Sequence, residues 1–120
     1  MLVIFDLDET VIDSSHRQKR DANGNLDLSH WLENQTREKM FRDTLLPLAA
    51  YWYEAQAAGM SIAVCTSRDA KPRDVLDFLA KHGLRCDYYM RRQPNDTRSS
   101  ADLKVDLLSK FFKAHNPYFV

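Results

Sequence analysis

Short, wholly apolar runs alternate along this chain with longer stretches whose hydrophobic positions recur every three or four residues. Leu2-Val3-Ile4-Phe5 is such a run, closed at once by Asp6, and reads as a buried parallel strand. Ser61-Ile62-Ala63-Val64-Cys65 repeats the pattern, and residues 87–90 read as a short third strand. A helix is expected over 47–58, with Pro47 in its first turn and Gly59 as its stop. A second helix is expected over 72–82, closed by Gly83, with Val75, Leu76, Leu79 and Ala80 on its inner face. A last one over 99–113 turns Leu103, Leu107, Leu108, Phe111 and Phe112 inward. Residues 28–42 carry a weaker helical pattern anchored by Trp31, Leu32, Met40 and Phe41. Residues 11–27 are polar and contain Asn23-Gly24, a tight-turn signal that predicts a small protruding hairpin.

Strand and helix alternating through short connections predict an α/β fold, a three-layer sandwich around a parallel sheet, with 1–120 as one domain. Chemistry in such sheets collects at the carboxyl ends of the strands. That rule selects residues 6–10, 66–68 and 91–98.

Composition narrows the classes. The chain has 120 residues, 44% hydrophobic and 28% charged, the balance of a globular protein and not a disordered one. Seventeen basic and seventeen acidic residues give no net charge, so non-specific attraction to nucleic acid or membrane is not expected. No apolar run approaches the length of a membrane span, and no signal-peptide pattern opens the sequence. Cys65 and Cys86 lack metal-like spacing, which makes a reducing, cytoplasmic setting the default and Cys65 a small core residue. His16, His30, His82 and His115 show no ligand spacing and read as structural or exposed.

The chemistry lies in Asp6-Leu7-Asp8-Glu9-Thr10. Two carboxylates just past a buried strand can converge on one pocket, one as a nucleophile toward phosphorus and the other as a proton donor. A polar turn is the competing reading of such a pair. With its preceding strand, however, DLDETV resembles motif I of the haloacid dehalogenase superfamily of phosphohydrolases. The resemblance implies that Asp6 is phosphorylated, that Asp8 acts as general acid and base, and that Thr10 helps fix the loop. It also implies Mg2+ at Asp6 and Asp8, the latter through its main-chain carbonyl. Thr66 matches the motif II hydroxyl, and Lys104 is the candidate for the motif III amine that neutralises the aspartyl phosphate.

Arg92, then Asp96-Thr97-Arg98, then Lys104 resembles one branch, the 3′-phosphatase domain of phage polynucleotide kinase–phosphatases. A nucleotide or polynucleotide 3′-phosphate is therefore the first substrate expected. Ser67 joins the substrate-binding set, and Arg68, Arg92 and Arg98 are expected as phosphate clamps, since a planar guanidinium pairs bidentately with phosphate. Tyr88 and Tyr89 are either stacking faces for a base or core packing.

The family's motif IV, an acidic pair after a fourth strand, has no counterpart after Asp106. Three readings follow from that gap. The sequence is a truncated product, or another chain completes the metal site, or the domain is catalytically silent and binds a partner. In the second case a homodimer covering the edge of the first strand is expected. The short insert and the absence of a large cap leave the site open to bulky substrates, a nucleic-acid end or a phosphoprotein, with a small metabolite as the alternative. No GxxxxGK[ST] loop is present, so any kinase activity would belong to a different chain.

Overall fold

A short apolar run satisfies its main-chain N–H and C=O groups away from water only by pairing with others of its kind. In the computed structural model, which describes residues 1–68 and 71–115, the three apolar runs do this. The elements are β1 (Leu2–Phe5), β2 (Ile12–Asp13), a 3-10 turn (Ser15–Arg17), α1 (Leu28–Glu33), α2 (Arg37–Met40) and β3 (Thr44–Leu45). There follow α3 (Ala49–Ala57), β4 (Ser61–Cys65), α4 (Pro72–Lys81), β5 (Tyr88–Met90) and α5 (Ser100–His115). β4 lies between β1 and β5 in a parallel sheet, with Phe5 opposite Val64 and Cys65 opposite Met90.

Alternation along β4 separates two cores. Ile62 and Val64 join Phe5, Trp52, Val75, Phe78 and Leu79 in the cluster under α3 and α4. Within it the rings of Phe5 and Trp52 stack at 4.8 Å, and the buried Trp52 indole N–H donates to the Arg85 carbonyl at 2.9 Å. Ala63 and Cys65 are buried outside that cluster, where α5 packs on β4 and Tyr88 meets Phe111 edge-on at 5.2 Å. The result is the expected α/β architecture, a parallel sheet flanked by helices and compatible with a Rossmann-like core.

Several local expectations change. Residues 28–42 form two helices because they contain two starts: the Asp27 carboxylate caps α1 through the His30 N–H, and Thr36 caps α2 through that of Lys39. On α4 the buried face is Val75, Phe78 and Leu79, spaced three and four apart, which leaves Leu76 and Ala80 exposed. On α5 only Leu103 and Phe111 are fully buried, and Phe112 turns outward. The hairpin is confined to the Arg20–Leu26 bridge, whose turn contains Gly24 at φ +80°. Residues 12 and 13 instead pair antiparallel with β3, Ile12 opposite Leu45. Residues 116–120, about where the family resemblance places the start of a fourth strand, lie outside the described residues.

Candidate active site

Asp6 leaves the sheet directly after Phe5, and its carboxylate is held on both sides. Lys104 Nζ on α5 lies 2.9 Å from Oδ1, and the Thr10 hydroxyl donates to Oδ2 at 3.1 Å. The turn between them is tight: the N–H groups of Thr10, Val11 and Ile12 all donate to the Leu7 carbonyl. Closing it puts Glu9 in the left-handed region at φ 58°, an uncommon state for a side chain other than Gly, Asn or Asp. Glu9 is tied down in compensation, its carboxylate accepting from the Ser14 N–H, the Ser14 hydroxyl and Gln18 Nε2. The Asp6 side chain keeps 36% of its surface open to solvent, accessible enough to meet a ligand.

Asp8 is bound more firmly. Arg68 donates to both of its carboxylate oxygens, through Nε at 3.1 Å and through Nη2, and the Ser14 hydroxyl donates to Oδ1 at 3.2 Å. Behind Arg68 lies Asp43, 3.8 Å away, and behind Asp43 lies Arg17, which donates to it at 2.9 and 2.7 Å. His16 closes the chain on Asp43 at 2.6 Å. The side chains of Arg17, Asp43 and Arg68 are each 1% exposed, so alternating charges run through the interior to a carboxylate at the cleft. Burial works against the Arg68 charge, but its hydrogen bonds to Asp8 together with the charges of Asp8 and Asp43 overcome it, and its proton is held more firmly than usual.

Thr66, at the end of β4, is buried and its hydroxyl accepts from the Arg68 N–H at 3.1 Å. Asp6, Asp8 and Thr66 follow the paired strands β1 and β4, Lys104 reaches Asp6 from α5, and the loop after β5 meets them through the Arg92 bond to the Ser67 carbonyl. The arginines expected as phosphate clamps are otherwise occupied. Arg68 faces Asp8. Arg92 donates to the carbonyls of Ser67, Asp96 and Arg98, which fastens loop 91–99 to the end of β4. Arg98 pairs with Asp96 at 2.7 Å and Asp106 at 3.1 Å, and its bonds hold the Asp96 carboxyl down at about 2. Tyr88 packs against Phe111 and His115, and burial pushes the Tyr89 hydroxyl up to about 12. Burial likewise raises the Cys65 thiol, keeping it protonated beside Lys104.

A cleft of about 270 Å³ is lined by Asp8, Glu9, Arg20, Trp31, Ser67 and Arg68, while Asp6, Thr66 and Lys104 are not among its lining residues. Arg20 was not anticipated from the sequence. It sits on the hairpin, exposed, with no ion pair among the described residues, so its charge is available to an anion in this cleft. Asp43, Arg17 and His16 were also missed. Their only sequence signal is a set of charged residues flanking short apolar stretches, which surface residues share.

Residues 1–115 match the family model described as bacteriophage T5 5′-deoxynucleotidase. The 5′-deoxynucleotidase of Escherichia phage T5 is 31% identical over 120 residues, an overlap covering 94% of this chain. The chain spans only 44% of that relative's length. A chain in the structure of the Pnkp1/Rnl/Hen1 RNA repair complex aligns with a TM-score of 0.63 over 91% of this chain and 30% of that one. Its 23% identity makes that a likeness of fold. On the match over residues 1–115, the chain belongs to the bacteriophage T5 5′-deoxynucleotidase family.

Proposed function

We propose that this chain carries the phosphoryl-transfer site of a haloacid-dehalogenase-type phosphatase acting on a nucleotide phosphomonoester, with a deoxynucleoside 5′-monophosphate as substrate. One observation carries the reading: Asp6, at the tip of β1, lies 2.9 Å from Lys104 and 3.1 Å from the Thr10 hydroxyl, beside Asp8 on the same turn. The 5′-position comes from the name of the Escherichia phage T5 relative and departs from the 3′-phosphate expected from the sequence, keeping only its nucleotide class.

Asp6 attacks phosphorus as the ester P–O bond breaks, forming an aspartyl phosphate, and the leaving 5′-oxygen takes a proton from Asp8. Water then attacks the aspartyl phosphate with Asp8 accepting its proton, and Asp6 leaves as carboxylate. Lys104 offsets the charge gathered at Asp6, and Thr66 and Arg20 supply further donors to the phosphate. Asp8 must part from Arg68 to serve as an acid, since both of its carboxylate oxygens accept from that guanidinium.

The donor chemistry fits Mg2+: the Asp6 carboxylate and the Asp8 main-chain carbonyl are hard oxygens, and this ion takes few protein ligands alongside water and phosphate. These two oxygens would hold it, and among the described residues no group of three acidic, His or Cys side chains is placed to bind a metal ion. When bound, the ion would offset the repulsion between two anions.

Phosphate release from deoxynucleoside 5′- and 3′-monophosphates, with Mg2+ and with a chelator, tests the proposal. The 5′-ester should turn over faster, only with the metal, and Asp6→Asn should abolish release without altering the fold. Full turnover by Asp6→Asn, or none of either ester by the unaltered chain, would refute it.

A further inference from the structure

The smaller cleft does not end at Arg20. It runs into a larger one of about 610 Å³, and Leu26, Trp31 and Ser67 line both. One wall of the larger groove is apolar. Leu28 and Leu32 on α1 are 66% and 57% exposed, with the half-buried Trp31 on the same helix. α1 buries no residue completely, so this apolar surface is not used up by the fold. The facing wall is polar, formed by Thr97, Arg98 and Ser99.

Both walls are anchored. The Arg17 guanidinium lies 4.7 Å from the centroid of the Trp31 ring, and Arg17 is itself pinned by Asp43. Arg92 fixes the opposite loop through three carbonyls. The buried charge chain that orients Asp8 therefore also orients Trp31.

We propose that this groove is the nucleoside subsite, with the base against the Trp31, Leu28 and Leu32 wall and the sugar near Ser67. The inference rests on the phosphatase reading above and assigns the specificity-determining residues for it. Three features select this occupant. The groove is continuous with the cleft at Asp8, Arg20 and Ser67, on the turn that follows Asp6. Its volume falls within the range of small-molecule pockets, which suits one nucleoside better than a strand. Its walls pair an apolar face with a polar one, as a base needs, offering a π face to stack and an edge to hydrogen-bond.

Two measurements test it on the full chain. The first is tryptophan fluorescence during titration with a deoxynucleoside lacking phosphate. Trp52 is fully buried, so a saturable change reports Trp31, and Leu28→Ser with Leu32→Ser should weaken it. The second compares a deoxynucleoside 5′-monophosphate with deoxyribose 5-phosphate, which lacks the base. Trp31→Ala should raise KM about tenfold for the nucleotide and leave the sugar phosphate within about twofold, while Trp31→Phe stays near the unaltered chain. Equal losses on both substrates, or a fluorescence titration without saturation, would overturn the subsite. A saturable titration with no turnover of any phosphate ester would sink the phosphatase reading and leave the subsite standing.

Discussion

The two halves of the site are held by opposite means. The tip of β1 rests on an apolar core, where Phe5 stacks on Trp52 and Ile62 and Val64 fill the space beneath. The inserted segment from Val11 to Leu45 buries Val11, Ile12 and Met40 in the same core, but it reaches Asp8 through the Ser14 hydroxyl and a buried ion chain. Arg17, Asp43 and Arg68 are sealed from water and reach Asp8 at the cleft. Apolar burial is non-directional and tolerates small shifts, whereas a buried ion chain stabilises only in one geometry and fails when a member is lost. The contrast suits the two carboxylates. On the proposed roles, Asp6 as nucleophile requires a rigid platform and Asp8 as acid requires an oriented partner.

Removing the centre of the ion chain is the harshest test of this contrast. Asp43→Ala leaves Arg17 buried without its partner and should destabilise by about 3–5 kcal/mol in urea unfolding. The loss should fall on the inserted segment, so Trp31 fluorescence should change before that of Trp52. Coincident transitions would mean that the two regions form a single cooperative unit. Trp52→Ala, in the apolar half, should have a similar total effect, about 3–5 kcal/mol, with both regions melting together.

The apolar half was legible in the sequence, and the ionic half was not. Leu2 to Phe5 and Ser61 to Cys65 declare themselves as strands by their runs of apolar residues, although of the first run, expected to be buried, only Phe5 is fully so. Asp6, Asp8 and Thr66 then follow from strand order, since parallel connections bring strand ends together, whereas Lys104 comes from the family resemblance. Lys104 is the instructive case. It is one lysine on a long helix, yet Leu103 beside it is buried and fixes the rotation of α5 that aims Lys104 at Asp6. Arg17 and Asp43 are 26 residues apart and carry no periodic signal. The three arginines expected to clamp phosphate illustrate the same limit. Arginine in a strand-end loop has local carbonyls and carboxylates within reach, and Arg92 and Arg98 are taken up by them.

Smaller effects sharpen the comparison. Arg20→Ala should raise KM for any phosphomonoester by about threefold to tenfold and leave the melting temperature unchanged, because the residue is exposed and has no ion pair among the described residues. Equal KM values would show that Arg20 does not reach the phosphate.

On the apolar side, burial lowers the His82 pKa below its ordinary value of 6.5 while its ring packs on Phe78 at 4.6 Å. The unfolded chain then binds this proton more readily than the folded one. Stability from this site is therefore present above pH 6.5 and falls away as the pH drops through the lower folded value. Thermal melts between pH 7.5 and 5, compared with His82→Asn, should show a small decline that the variant lacks. An identical decline in both would assign it to other groups.

The most direct test of the central claim is to trap the phosphoryl group on the chain. A deoxynucleoside 5′-monophosphate labelled in its phosphate would be mixed with the chain and Mg2+, quenched in acid during turnover, and the digested peptides fragmented. The account predicts label on the side chain of Asp6, absent from Asp6→Asn. Turnover with no labelled peptide, or with the label on Asp8 or Thr66, would contradict it.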